Sequence, residues 1–312
     1  MRGKACRIHR FGPPDVIVLE DVEAPAPGAG EVLVRVKAAG VGPWDAWVRA
    51  GRSALPQPLP LTLGTDLSGE VAAVGPDVAS PAVGDRVFGV TNPRFTGAHA
   101  EYAIAAAAML APRPAALSDV QAASVPVVAV TAWQALFAQA KAKRGQSVLV
   151  HGAAGSVGAY AVRLAHGAGL RVIATAGTAD ADEVRRLGAD VVVDYRAARF
   201  EDAVPPVDAV IDLVGGETQR RSFAVLKPGG TLVSAVSQPD QESAARHGVR
   251  AVFFLVDVGS AQLAHIAGML EQGVLAPRVG SVLPLAAARI AHEMLEGART
   301  RPRGRIVLEV AA

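Results

Sequence analysis

The apolar run Ser147-Val148-Leu149-Val150 feeds a turn of small residues, His151-Gly152-Ala153-Ala154-Gly155-Ser156-Val157-Gly158, and a helix-compatible stretch over 159–166 follows. That order suits a pyrophosphate. A buried strand ends beneath the turn, small residues let backbone N–H groups approach an anion, and the next helix aims its positive end at the phosphates. The pattern is Ala-x-Gly-x-x-Gly, with Ala153, Gly155 and Gly158 in the three key places; taken alone it also fits an ordinary strand, turn and helix. In a site selective for NAD, an Asp or Glu about 20 residues further on holds the ribose hydroxyls and repels a 2′-phosphate. Here Thr175-Ala176-Gly177-Thr178 stands at that place. Hydroxyl and backbone donors at Thr175, Ala176 and Thr178 suit a phosphate and favour NADPH over NADH. Asp180, Asp182 and Glu183 oppose it, with Arg185, Arg196 and Arg199 as candidate compensating charges or solvated surface groups.

Metal chemistry has less to work with. A catalytic zinc takes about three ligands from Cys, His, Asp or Glu around an open position. Cys6 is the only cysteine and the 7 histidines show no paired spacing, so a four-cysteine zinc lobe is excluded and His99 and His151 read as structural or surface residues.

The elements that must position the turn are legible around it. Strand candidates recur at 148–150, 170–175, 190–194, 207–214, 231–236 and 251–256, separated by helix-compatible segments and by Gly215-Gly216 and Lys227-Pro228-Gly229-Gly230 turns. They predict an α/β domain with a Rossmann-type, doubly wound parallel sheet of six strands. Before residue 120 the texture changes to short strands between Pro and Gly turns. Val32, Val34, Val36 and Ala38 alternate with Arg35 and Lys37, the pattern of a half-buried strand, and 69–75, 85–90 and 100–104 read the same way. A compact β-rich barrel is predicted. Ser118 or Asp119 can cap a helix running toward Ala140, and 285–297 reads as a helix before a strand-like 304–310.

Composition narrows the function classes. With 312 residues and 51% hydrophobic content, the chain supports one large or two ordinary domains. The first ten residues interrupt themselves with charge, so no export signal is read there, and no apolar run suffices to span a bilayer. A cytoplasmic protein without membrane partners is expected. The net charge of +2 is small, and Arg299, Arg301, Arg303 and Arg305 lack interleaved aromatics, so no nucleic-acid partner is expected.

Several ordered blocks extend the reading: Gly64-Thr65-Asp66-Leu67-Ser68-Gly69-Glu70-Val71, Val83-Gly84-Asp85-Arg86-Val87-Phe88-Gly89, Gly97-Ala98-His99-Ala100-Glu101-Tyr102, Val130-Thr131-Ala132-Trp133, the 153–158 turn and Asp212-Leu213-Val214-Gly215-Gly216. Through them nearly the whole chain resembles the medium-chain dehydrogenase/reductase superfamily, and within it the zinc-independent quinone oxidoreductase branch that includes zeta-crystallin and plant alkenal reductases. The resemblance implies a GroES-like β-rich catalytic domain over 1–120 with 266–312, and a Rossmann domain over 121–265. Zinc relatives carry ligands near Val41-Gly42 and at Thr65, which this chain lacks. The implied activity is NADPH-dependent hydride transfer to quinones or α,β-unsaturated carbonyls, in a dry cleft between the domains, by a homodimer paired through 251–256.

Residue roles follow from the same resemblance. Gly42, Pro43, Asp45 and Trp47 occupy the substrate loop, with Gly42 replacing the usual Asn and Trp47 standing where some relatives have Tyr. Gly51-Arg52-Ser53-Ala54 lacks the tyrosine that enoyl-thioester reductases use to place a proton. Proton delivery is left to solvent, Asp45 or Thr131. Asp45 reads equally as a loop or helix cap, and Trp47 as a packed aromatic. Thr131 is placed toward nicotinamide, Ser156, Val157 and the rest of the 153–158 turn on the pyrophosphate, and Tyr195 beside the 2′-phosphate. Leu213 and Val214 lie beside the adenosine end or ribose, Ala235 and Val236 follow the fifth strand as further cofactor contacts, and Phe254 and Leu255 flank nicotinamide. Plain core packing is the alternative for the apolar ones. Two rival functions are an enoyl-thioester reductase of the same architecture and a noncatalytic NADPH-binding sensor or RNA-binding protein.

Overall fold

Two compact units divide the chain, Met1–Val127 with Asp257–Ala312 and Val128–Val256. The structure is a computed structural model describing residues 1–53 and 55–310; Ala54, which ends the segment read for its missing tyrosine, and residues 311–312 lie outside the described residues. The divisions fall after 127 and 256, where the sequence reading had 120 and 265. Packing explains both. Helix Asp119–Ala123 buries Ala122 and Ala123 against the first unit's sheet, and helix Ser260–Glu271 packs on a strand of that sheet.

In the first unit, β1 (Arg2–Ile8) pairs antiparallel with β2 (Val18–Glu23) and β4 (Leu61–Thr62). The long β3 (Glu31–Val41) pairs with β5 (Asp66–Val74) and β7 (Tyr102–Ala106), and β5 continues to β6 (Arg86–Val90) and β8 (Leu110–Pro112). The alternation in β3 holds: Val32, Val34, Val36 and Ala38 are buried while Arg35 is exposed. Strands β1 and β2 each carry three charges, which break up the apolar run that would mark a strand; β1 buries Ala5, Cys6 and Ile8, whereas β2 buries nothing and is held by its ladder to β1.

The second unit is a six-stranded parallel sheet in the order β11-β10-β9-β12-β13-β14, made from Ser147–Val150 (β9), Arg171–Ala176 (β10), Val191–Asp194 (β11), Val207–Asp212 (β12), Leu226–Ser234 (β13) and Arg250–Phe253 (β14). This is the doubly wound order whose reversal lies between β9 and β12. The fifth strand starts before its Pro-Gly-Gly, and the β12–β13 ladder jumps from Val207↔Leu226 to Ala209↔Thr231 to absorb the extra residues. Leu149, Ile173, Val210 and Leu232 are completely buried in the core. The single helix read toward Ala140 is instead Asp119–Ala123, then Pro126–Trp133 running into a π-helical segment, Gln134–Gln139. Pro126 has no N–H to continue the first helix and disfavours helical Val125. Ser118 is the cap, accepting from the Gln121 N–H at 3.2 Å.

The chain then returns to the first unit as β15 (Val279–Pro284), helix Ala288–Leu295 and β16 (Arg305–Glu309). Strand β16 pairs antiparallel with β3, and β15 pairs parallel with β16. No helix among the described residues is long and apolar enough to cross a membrane.

Candidate active site and dinucleotide site

In the second unit the residues read as cofactor contacts gather at the carboxyl ends of parallel strands. The 153–158 turn follows β9, Thr175 and Ala176 end β10, Tyr195 follows β11, and the pairs Leu213 with Val214, Ala235 with Val236, and Phe254 with Leu255 follow β12, β13 and β14. A Cβ built on Gly152 would lie 3.3 Å from Val214 and 3.6 Å from Leu213, and one on Gly215 would lie 3.3 Å from Val236. These turns therefore adjoin one another. Thr131 comes from a different element, helix Pro126–Trp133, and is 6% exposed.

The turn fits a dinucleotide by its backbone. A Cβ on Gly158 would sit 2.2 Å from the Gly152 carbonyl oxygen and 2.7 Å from the Ala153 Cα, so only glycine lets the helix close on the turn. Helix Ser156–Gly167 begins after Gly155 with no side-chain cap and no acid in its first turn. Its first N–H groups have no helical acceptor, and their partial positive charge is what a pyrophosphate takes up.

Hydrogen-bond directions decide what the threonines offer. Ser222 Oγ donates to the Thr218 carbonyl at 2.7 Å, so it accepts from His151 Nε2 at 3.0 Å. Burial pushes the His151 pKa down to about 4, leaving the ring neutral. Its Nδ1 is then an acceptor, and the Thr175 hydroxyl, 3.0 Å away, donates to it. Thr175 is 4% exposed and its one hydrogen is spent inward, which corrects its reading as a phosphate donor. The exposed Thr178 hydroxyl donates to Asp194, whose carboxyl is held below its ordinary range by that bond and by the Arg196 N–H. Of the three arginines weighed as compensating charges, Arg185 pairs with Asp182 and Arg199 with Glu201, while Arg196 lies over the Tyr195 ring.

Asp212 went unassigned in the sequence. Buried at the end of β12, it accepts from the Val214 and Gly215 N–H groups at 3.0 and 2.8 Å, and from Ser234 Oγ and Gln219 Nε2 at 2.8 and 2.9 Å. It thereby fixes the turn that carries Leu213 and Val214. An acid closing an apolar strand before Gly-Gly was the available signal.

In the first unit, Gly42 and Pro43 begin helix Pro43–Arg49. Asp45 is completely buried, and its Oδ2 accepts from the Gly42 N–H at 2.7 Å, the reach-back half of a capping arrangement. Its Oδ1 has no partner, and burial pushes its pKa up to about 8, opposed by the Gly42 N–H and by Arg305. Of the two roles read for Asp45, the geometry supplies the cap; full burial keeps it from solvent. Trp47 is 46% exposed, so the packed aromatic is its neighbour Trp44, whose ring lies 4.7 Å from the Arg305 guanidinium.

Arg305 links this turn to the last strand. It is buried, donates to Asp66 Oδ2 at 2.5 Å, and Asp66 Oδ1 accepts from the Val127 N–H at 2.8 Å. One member of the arginine cluster read as a solvated tail is thus a core ion pair. Nearby, buried Arg49 donates to Gly12 O at 3.0 Å and pairs with Glu296, and its Nη1 lies 3.1 Å from His292 Nδ1. These partners tie helix Pro43–Arg49 to helix Ala288–Leu295.

Zinc does not fit the donor set. The positions the resemblance assigns to ligands hold Val41, Gly42 and Thr65, and no group of three or more His, Cys, Asp or Glu side chains among the described residues is placed to hold an ion. Cys6 is buried, donates to the Leu285 carbonyl at 3.3 Å, and has its pKa pushed up to about 12.

A doubly wound sheet with an uncapped helix above a glycine turn, in a chain that also holds a β-rich unit, defines a two-domain dinucleotide-binding protein. Residues 28–115 match the family model of the alcohol dehydrogenase GroES-like domain, and residues 187–308 match that described as zinc-binding dehydrogenase. Mouse (Mus musculus) quinone oxidoreductase is 32% identical over 93% of each chain. The structure of a quinone oxidoreductase from Coxiella burnetii superposes with a TM-score of 0.93 at 34% identity, covering 100% of both chains. The structure of the CurK enoyl reductase gives 0.87 at 25% identity over 99% of each. The chain belongs to the quinone oxidoreductase group of the medium-chain dehydrogenase/reductase superfamily, oxidoreductases that bind a nicotinamide cofactor.

Proposed function

We propose that this protein is an NADPH-dependent reductase of quinones and α,β-unsaturated carbonyls that works without zinc. The observation that carries the reading is the uncapped helix Ser156–Gly167 closing on the glycine turn, in a chain whose relatives are named quinone oxidoreductases. A reduced nicotinamide supplies a hydride when bound. With no Lewis acid to polarise an alcohol or aldehyde oxygen, the acceptor has to be electrophilic already, as quinones and enones are. The protein's part is binding and orientation. The 153–158 turn and its helix hold the pyrophosphate. Ala176, Leu213, Val214, Ala235 and Val236 line the cofactor's length, and Thr131, Phe254 and Leu255 flank the nicotinamide. Gly42, Pro43 and exposed Trp47 contact the acceptor, and Asp45 positions them by capping their turn; the product's proton comes from solvent. Tyr195 and Arg196, with no acid ending β10, support NADPH. Two copies pair through β14, the outermost strand of its sheet.

The test is cofactor oxidation by purified protein against quinones, enones, alkenals and enoyl thioesters, with NADPH and NADH in parallel. Turnover on quinones or enones supports the reading. A preference for enoyl thioesters would move the assignment to the chemistry named for the CurK relative, and binding without turnover would make the protein a sensor. Dialysis against chelator is expected to leave the rate unchanged; loss restored by zinc would sink the zinc-free mechanism.

A further inference from the structure

We propose that Asp194 is the residue that limits this protein's preference for NADPH and keeps NADH usable, by setting a fixed negative charge where a 2′-phosphate has to sit. The inference rests on the cofactor reading above and concerns the mouth of that site.

Asp194 ends β11 and lies opposite Ala176 in the β10–β11 ladder. Just beyond β10, a Cβ on Gly177 would lie 3.8 Å from both the Tyr195 hydroxyl and the Arg196 guanidinium carbon. Gly177, Thr178, Asp194, Tyr195 and Arg196 therefore form one cluster at the carboxyl ends of the second and third strands, where the adenosine ribose of a dinucleotide is read in this fold. The usual selectivity signal is an acid at the end of the second strand, and β10 carries none. The acid arrives from the neighbouring strand.

Its charge is held in place. Asp194 Oδ2 accepts the Thr178 hydroxyl and Oδ1 accepts the Arg196 N–H at 2.9 Å. The Arg196 guanidinium lies 5.5 Å from the Tyr195 ring centroid and its charge acts on the carboxylate, but no salt bridge to Asp194 forms among the described residues. Thr178 has given its only hydroxyl hydrogen to Asp194, and Thr175 has given its own to His151. At the ribose end the Asp194 carboxylate and the Thr178 oxygen are acceptors, and buried Thr175, turned toward His151, offers no hydrogen there. Acceptors suit a 2′-hydroxyl and repel a phosphate, while Tyr195 and Arg196 supply the opposing attraction. Asp194 is thus the counterweight in a mixed site.

The test is calorimetric titration of NADPH and NADH into wild type, Asp194→Asn and Asp194→Ser at about 0.15 M salt. Asparagine removes the charge and keeps one oxygen for the Arg196 N–H, its amide N–H donating to the Thr178 oxygen where Oδ2 had accepted, and serine provides a second neutral variant should asparagine fail to fold. The expected result is a Kd for NADPH lowered about tenfold in both, with the Kd for NADH changed by less than about threefold. The gain should shrink as salt rises. An unchanged ratio of the two constants, or equal changes in both, would make Asp194 a turn residue only and overturn the inference while leaving the cofactor reading intact. Failure of wild type to bind either nucleotide would overturn both.

Discussion

Asp45 is a carboxyl whose environment acts against its charge: it is completely buried and one oxygen has no donor. Its pKa of about 8 stands above the ordinary 3.8, so between those values the folded state keeps a proton that the unfolded chain releases. Stability from this group is therefore present in full below pH 3.8 and is lost as pH rises toward 8. Asp45→Asn retains an oxygen for the Gly42 N–H without the charge. Urea unfolding is expected to show the variant near wild type at about pH 3.5 and progressively more stable as pH rises toward 8, by about 4–6 kcal/mol at about pH 8.5. A difference that does not vary with pH would show that Asp45 does not titrate in this window. Because the residue caps rather than transfers protons, its substitution should raise KM for the acceptor more than it lowers kcat.

One element depends on a close approach that admits no side chain, and another on a buried ion pair. Gly158→Ala places a methyl group 2.2 Å from the Gly152 carbonyl, so the helix must back away from the turn. The expected cost is about 1–3 kcal/mol of stability together with a loss of dinucleotide affinity of tenfold or more, read by thermal unfolding and titration. Retained affinity would show that the helix end does not hold the pyrophosphate. Strand β16 is anchored by the Arg305–Asp66 pair as well as by its ladder. Arg305→Met leaves a buried carboxylate and is expected to cost about 3–5 kcal/mol, whereas the double change with Asp66→Leu should recover much of it. Additive losses in that cycle would mean that the two side chains contribute separately.

At the scale of the whole molecule, the proposed pairing of two copies rests on one sheet edge. The net charge of +2 gives no polyanion-binding field, and β14 leaves one ladder edge unpaired, with Ala251 to Phe253 half-buried along it. Light scattering is expected to give twice the chain mass, and Val252→Lys, placing a charge on that strand, is expected to give the monomer. A wild-type monomer would rule out pairing through this edge.

The doubly wound unit was legible because each parallel strand is an apolar run between Gly and Pro turns, and runs such as 148–150 and 207–212 need no distant partner to declare themselves. The glycine turn was legible because only small residues permit its close approach. The paired strands β1 and β2, the swerve of β13 and the division at 127 were not, since they depend on which neighbour supplies a ladder or a burying face. The chemical state of the site was decided at the same level. Thr175 and Thr178 are hydroxyls in the sequence whatever their partners, and only His151 and Asp194, brought up from other strands, determine where their hydrogens point. Arg305 looked like one of four solvated cations until β16 carried it inward to Asp66. Local pattern determines which segments bury apolar area, because that preference belongs to each residue. Charge state and hydrogen-bond direction belong to pairs, and folding chooses the pairs.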